Sequence, residues 1–262
     1  GTLHYKNGND YFVYKNPSDI FANKDARLYG TIIYPGTKFR GQDVDIQAGV
    51  AVWNDINGSY DLLTDPSLGS FYTDNKTFVG QDGPQTNTPN VSNTGFYIRK
   101  FISEASGYTL RNYAENWWPW FRLGEIYLNL AEAAMELNKS SEALDAVNKI
   151  RERAGIALLS NINMEKIRHE RRVELAFEGH RFWDMKRWRI AHLDVTQGGL
   201  NGFRGTALYP WYDIRDGKYV FERGRNTPKQ LRIFLEKNYY TKINQDDMNS
   251  NPNLIQNPGY TN

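Results

Sequence analysis

Three glutamates, Glu170, Glu174 and Glu178, recur every fourth residue. In a helix of 3.6 residues per turn this spacing stacks them along one face. Glycoside hydrolysis needs such a pair of carboxyls about 5–9 Å apart, one kept protonated and one charged. The same stretch also carries Arg171, Arg181 and Arg187, whose planar forks grip carboxylates. Phe177, Phe182, Trp183 and Trp188 add apolar bulk among these charges. Charges so close to bulky aromatics are partly buried, and buried charges must be paired. The residues therefore read as a structural ion-pair network, Glu170, Arg171, Glu174, Glu178, Arg181 and Asp184, that joins two helices. No catalytic residue is assigned.

A second constellation suits binding. A sugar is apolar above its ring and polar around its edge, so it is held by aromatic faces beside short polar side chains. The run Val52-Trp53-Asn54-Asp55-Ile56-Asn57-Gly58-Ser59-Tyr60 supplies both: Trp53 and Tyr60 as platforms, Asn54 and Asp55 as hydrogen-bonding groups for hydroxyls. The competing reading is that Trp53 plugs this loop into the core. Phe71-Tyr72 and Trp211-Tyr212 are weaker candidates, and Asn116-Trp117-Trp118-Pro119-Trp120 sits where a helix starts and suits packing.

Other chemistries find no support. There is no Cys, which removes disulfides, thiolate catalysis and Cys-ligated zinc. His4, His169, His180 and His192 have no paired spacing for a metal, so no metal or cofactor is expected. The net charge of +2, from 32 basic and 30 acidic side chains, argues against nucleic acid as a partner. No run approaches the roughly 20 apolar residues of a membrane span, and Gly1-Thr2-Leu3-His4 reads as an internal cut rather than a leader.

The elements that must position these groups differ along the chain. Residues 1–107 are rich in Gly, Asn, Asp, Thr and Pro and read as long ordered loops. Short extended pieces are expected at 27–34 and 96–102, and helical turns near 18–21. From Leu123 the apolar positions Leu123, Ile126, Tyr127, Leu130, Ala134 and Leu137 predict an amphipathic helix, with Pro119 near its start. Asn138-Lys139-Ser140 breaks it. A second helix follows, with Ala143, Leu144, Val147, Ile150 and Ala154 on its apolar face and Gly155 at its end. Ala131, Ala133 and Ala134 facing Ala143 and Ala146 allow close packing. The pair forms an antiparallel hairpin of tetratricopeptide type. A third helix is predicted over 164–178, capped by Asn163 and stopped by Gly179, and a fourth over 181–190. A short helix is expected at 227–235, and the tail 249–260 reads as an irregular strap.

The expected fold class is thus mainly α: a tetratricopeptide-type hairpin plus further helices, long irregular loops and few short strands. The expected divisions are a loop-rich, ligand-binding portion at 1–110, a helical core at 111–192 and an irregular C-terminal portion at 193–262.

Several ordered motifs resemble one family. They are Phe121-Arg122-Leu123-Gly124-Glu125-Ile126-Tyr127-Leu128-Asn129-Leu130-Ala131-Glu132-Ala133, then Ala143-Leu144-Asp145-Ala146-Val147-Asn148-Lys149-Ile150-Arg151-Glu152-Arg153-Ala154-Gly155, then Glu170-Arg171-Arg172-Val173-Glu174-Leu175 with Glu178-Gly179-His180-Arg181-Phe182-Trp183-Asp184. Asn251-Pro252-Asn253-Leu254 with Gln256-Asn257-Pro258-Gly259-Tyr260 and, more loosely, Asp25-Ala26-Arg27-Leu28 add to them. Together they look like the SusD/RagB family. The resemblance implies a SusD-like fold and a non-catalytic, lipid-anchored protein on the extracellular face of an outer membrane. It implies a partner, a SusC-like TonB-dependent transporter, to which oligosaccharide or, in some members, peptide is delivered. It further implies that this chain is the C-terminal half, the lipidated Cys lying on an N-terminal part not included. Glu132, Arg151, Glu170, Arg171, Glu174, Arg181 and Asp184 then read as scaffold, with recognition left to variable loops. A glycoside hydrolase is the less favoured alternative, and an adaptor that binds only protein is another.

Overall fold

A computed structural model describes residues 2–6, 9–64, 71–73, 76–84, 91–105, 116, 118–222 and 231–261. Two compact units are present, Gly1–Ala176 with Thr206–Thr227, and Phe177–Gly205 with Pro228–Asn262. These boundaries do not coincide with divisions near 110 and 192. Trp117 of the aromatic run 116–120 and the first residues of the expected 227–235 helix lie outside the described residues.

The first unit holds a sheet that corrects the mainly α expectation. Its strands are β1 (Thr2–Lys6), β2 (Asn9–Tyr14), β3 (Gly49–Asn54), β4 (Ser59–Leu63), β5 (Pro210–Asp213) and β6 (Lys218–Glu222). They lie in the order β1-β2-β6-β5-β3-β4. Neighbours are antiparallel except β5 and β3, where Trp211 lies opposite Gly49 in a parallel pair. Two of the strands come from beyond residue 209, which no local pattern in 1–107 reveals. Asp213 Oδ1 accepts from the Arg215 N–H at 3.0 Å, and Gly217 takes a left-handed φ of 62°, which together turn β5 into β6. Gly49 permits the crowded centre: a Cβ there would lie 2.2 Å from the Leu63 carbonyl oxygen and 2.6 Å from the Trp211 ring. Tyr11, Val13, Ala51, Tyr60, Trp211 and Val220 form the buried core on the sheet.

The expected extended piece at 27–34 divides in two. Residues Arg27–Thr31 form a short helix, α1, and Ile32–Ile33 then pair antiparallel with Tyr97–Ile98. The turns near 18–21 are a 3-10 helix at Asp19–Phe21.

The helical hairpin is present as α2 (Leu123–Glu136) and α3 (Ser140–Arg153), followed by α4 (Met164–Glu174). Arg122, not Pro119, precedes the first helical residue. Gly155, at φ 67°, ends α3, and Asn163 Oδ1 caps α4 by accepting from the Lys166 N–H at 2.9 Å. Ala131 and Ala134 of α2 meet Ala143, Ala146 and Val147 of α3 in one buried cluster with Ile167 of α4. Ala133, by contrast, is exposed. Small side chains on both helices let the axes approach closely.

The buried face of α2 shares Ala134 and the partly buried Tyr127 with the predicted one, but not its leucines or Ile126. Leu128, Ala131 and Ala134 are inside, whereas Leu123, Ile126, Leu130 and Leu137 are 64%, 49%, 41% and 67% exposed. The helix carries two neighbouring apolar stripes, and periodicity alone does not say which one α3 covers. The third helix also ends a turn early, at Glu174 rather than 178, because Phe177 adopts a left-handed φ of 63°.

In the second unit, α5 (His180–Arg187) packs Met185 with Ala191 and Phe234. A 3-10 helix at Glu236–Tyr239 and a helix α6 (Gln245–Ser250) follow. The described residues 231–235 are not helical. Asn249 and Ser250, expected to be irregular, close α6; from 251 onward the strap is irregular and is pinned by side chains. Gln256 Nε2 donates to the Ile243 carbonyl at 3.0 Å, Asn257 Nδ2 to the Thr241 carbonyl at 2.6 Å, and the Tyr260 hydroxyl to the Tyr240 carbonyl at 3.0 Å.

The packing of α2 on α3 makes a direct prediction. Ala143→Leu forces a larger side chain into the alanine seam and destabilises the chain by about 1–3 kcal/mol in denaturant unfolding. Leu130→Ser, on the uncovered stripe, changes the unfolding free energy by less than about 0.5 kcal/mol.

Candidate functional site

Glu170 and Glu174 sit one turn apart on α4, with side chains 2% and 1% exposed. Both are fully engaged. Arg27 Nη1 donates to Glu170 Oε1 at 2.7 Å and to Glu174 Oε2 at 2.9 Å, bridging the two acids. Arg151 Nη1 donates to Glu170 Oε2 at 2.7 Å. Arg122 Nη1 and Arg153 Nη2 both donate to Glu174 Oε1, at 2.6 and 2.7 Å. Arg27 is itself oriented by Asp25, which accepts from Nη2 at 2.6 Å and Nε at 3.0 Å.

The partners of these acids are therefore not the arginines the local spacing suggested. Arg171 instead donates to Asn129 Oδ1 at 2.8 Å and lies 3.8 Å from Glu125. Glu178, Arg181 and Asp184 belong to the second unit, where Asp184, 4% exposed, accepts from Arg187 Nε at 3.0 Å. Arg27 and Arg122 were visible in the sequence only as members of quoted motifs; sequence separations of 143 and 52 residues gave no local cue to their roles.

The electrostatics oppose acid catalysis at α4. Burial raises the Glu174 carboxyl, but hydrogen bonds from Arg122 and Arg27 outweigh it and hold the group below its ordinary value. Burial lowers Arg27, and its bonds to Asp25, Glu174 and Glu170 more than restore it, so it stays charged. A general acid needs a carboxyl pushed up, not down. A cavity of about 460 Å³ opens beside this cluster, bordered by Phe101, Phe121, Arg122 and Arg153. Glu174 borders it as well, yet its carboxylate lies under three guanidinium groups.

The predicted sugar-binding run is a β-hairpin rather than a free loop. Trp53 lies near the end of β3 and pairs with Tyr60 of β4, their rings meeting edge to face at 4.9 Å and 74°. Tyr60 is 8% exposed and is part of the sheet core. Burial first, and the Asp213 carboxylate next, push its phenol upward. Asn54 shapes the turn: its Oδ1 accepts from the N–H groups of Ile56 and Asn57 at 3.0 and 3.1 Å, and its Nδ2 donates to Asp61 at 2.9 Å. Trp53 is half-buried and Asp55 exposed at the tip. Of the four residues, Asp55 is exposed, Trp53 is partly buried and packs on the sheet core as the competing reading has it, Tyr60 lies in that core, and Asn54 holds the turn.

The arginine lattice yields a pH-dependent prediction. Arg27→Ala leaves two buried carboxylates short of a cation and costs about 3–5 kcal/mol near neutral pH. A carboxyl held low stabilises the fold above its unfolded pKa of about 4.3 and loses that contribution as pH falls through the folded value. The gap between Arg27→Ala and the unaltered chain, followed by denaturant melts, should therefore narrow below about pH 4.

With this geometry in place, comparisons with known proteins identify the family. A sequence model of the SusD family matches residues 2–260. A SusD-like protein of Bacteroides ovatus is 28% identical over 224 residues, spanning 75% of this chain and 38% of that protein. SusD-like protein P25 of Formosa agariphila is 41% identical over 85 residues, 29% of this chain and 16% of that protein. A solved SusD-like carbohydrate binding protein of Bacteroides fragilis superposes with a TM-score of 0.56 at 26% identity, over 92% of this chain and 44% of that one. This chain thus spans less than half the length of the relatives it matches. The match runs through the sheet, the helical hairpin and the C-terminal strap alike: the chain belongs to the SusD family.

Proposed function

We propose that this chain is part of a non-catalytic glycan receptor on the extracellular face of an outer membrane. It holds oligosaccharide and passes it to a SusC-like TonB-dependent transporter, and the whole protein is anchored by lipid. The observation that carries this reading is the family match over residues 2–260, with the likeness to a solved relative described as a carbohydrate binding protein. The arginines that engage Glu170 and Glu174 support binding over hydrolysis, since neither side chain is free to reach a substrate.

Trp53 is the proposed sugar platform, with Asp55 beside it and Tyr60 as its support. A half-buried indole fixed edge-on by a buried phenol is rigid, so little entropy is lost when a sugar stacks on it. Trp53→Phe keeps an aromatic body against Tyr60 but shrinks the stacking face.

A glycan array and calorimetry test the reading. At least one oligosaccharide class should bind without release of reducing ends, and Trp53→Phe should weaken it about tenfold while leaving transporter association and thermal stability unchanged. Steady turnover of the bound glycan would sink the non-catalytic reading. Undiminished affinity in Trp53→Phe would move the platform elsewhere.

A further inference from the structure

The second unit contains a cavity of about 370 Å³ bordered by Arg189, His192, Glu236, Lys237, Tyr239 and Tyr240. Its most telling residue is Arg189. This arginine follows the last residues of α5 and takes a left-handed φ of 56°. The helix closes there with Ile190 N–H donating to the Met185 carbonyl at 3.1 Å. The same closure ends α3 on Gly155 and α2 on Asn138, residues that enter this conformation cheaply. An arginine in that place is strained, and the backbone geometry does not need its side chain.

What the side chain does is line the cavity. Arg189 Nη2 donates to the Tyr240 hydroxyl at 2.7 Å, and its guanidinium carbon lies 4.6 Å from the Tyr239 ring centre and 5.2 Å from that of Tyr240. Two rings and one hydroxyl thus hold the cation in place. Among the described residues that hydroxyl is the only hydrogen-bond acceptor it meets, which leaves most of its five N–H donors unused.

His192 is also fixed. Its backbone N–H donates to the Tyr239 hydroxyl oxygen at 3.2 Å, and its Nδ1 lies 2.7 Å from the same oxygen. Either atom can donate in that contact, and the ring's other nitrogen, Nε2, is left on the Glu236 side. Glu236 Oε1 is 3.6 Å from Nε2, beyond hydrogen-bond range, and the Glu236 side chain is 83% exposed. Lys237 adds a further cation, with Nζ 5.4 Å from the Tyr260 ring centre. The cavity therefore offers the Arg189 and Lys237 cations and the His192 imidazole against one solvated acid, beside two tyrosine rings.

We propose that this cavity is a subsite for an acidic sugar, a glycan unit bearing one carboxylate or one sulfate ester. The anion lies between Arg189, His192 Nε2 and Lys237, and the sugar ring against the tyrosines. A charged group held by fixed donors discriminates strongly against its neutral counterpart, which leaves those donors unpaired. The cavity's volume suits a sugar unit rather than a lone inorganic ion. This inference rests on the glycan-binding reading and narrows its ligand class.

The test is calorimetry on the 262-residue chain with tetragalacturonate, a monosulfated galacto-oligosaccharide and neutral galactotetraose. One or both acidic probes should bind at least about tenfold tighter than the neutral one. That advantage should shrink between about 0.05 M and about 0.5 M salt. Arg189→Gly relieves the strained backbone, so it should keep or raise thermal stability while removing the acidic advantage. A purely structural arginine would give neither the ligand selectivity nor this split. The carboxylate and sulfate arms show which anion the subsite takes. Equal affinity for acidic and neutral probes, or an acidic advantage that survives Arg189→Gly, overturns the proposal. Neutral binding that is lost in Trp53→Phe would leave the receptor reading standing when this one fails. Absence of any oligosaccharide binding sinks both.

Discussion

Two carboxylates with almost no contact with water, Glu170 and Glu174, constrain the first unit more than any other feature. Removing an ion from water costs several kcal/mol, and only well-placed opposite charges offset that cost. Four arginines from three separate stretches, Arg27, Arg122, Arg151 and Arg153, converge on them. Each places its own segment against α4, and Arg27, held in turn by Asp25, draws in a segment more than 140 residues away. The lattice ties α4 to the short helix α1 and to the helical hairpin.

Around that anchor the helices pack through small residues. Alanines on α2 and α3 form a seam in which backbones come close, and Ile167 of α4 closes it. Further along, Leu128, Ile150 and Leu175 make a second patch. Gly124 shows how closely lattice and packing are matched: a Cβ there would lie 2.5 Å from Arg122 Nη1 and 3.0 Å from Glu174 Oε1. Gly124 stands in the first turn of α2, and its missing side chain makes room for an ion pair.

The binding surfaces use a different device. At the β-hairpin a buried tyrosine supports a partly buried tryptophan, and an asparagine orders the turn beside them. In the second unit, tyrosine hydroxyls and ring faces hold an arginine and a histidine in place. In each case the group turned toward a ligand is held by a neighbour that is not. Such pre-organisation spares a binding protein the entropy of ordering its own side chains.

The sequence by itself determined the elements whose signal is local. The hairpin of α2 and α3, the asparagine cap of α4, the glycine at Gly155 and the irregular tail all follow from periodicity and from residues acting on their immediate backbone. The ordered motifs also carried the family resemblance. Tertiary structure alone decided which of the two apolar stripes on α2 is covered, because both fit a helical period and only a packed neighbour chooses between them. It decided that a six-stranded sheet forms, since β5 and β6 join strands lying some 150 residues or more before them in sequence. It paired the α4 acids with distant arginines in place of nearby ones, and it set Tyr60 inside the core with Trp53 packed partly buried against it. The physical reason is common to all four: an alternation or a helical period records how one segment presents its side chains, whereas burial and charge pairing depend on which other segment arrives.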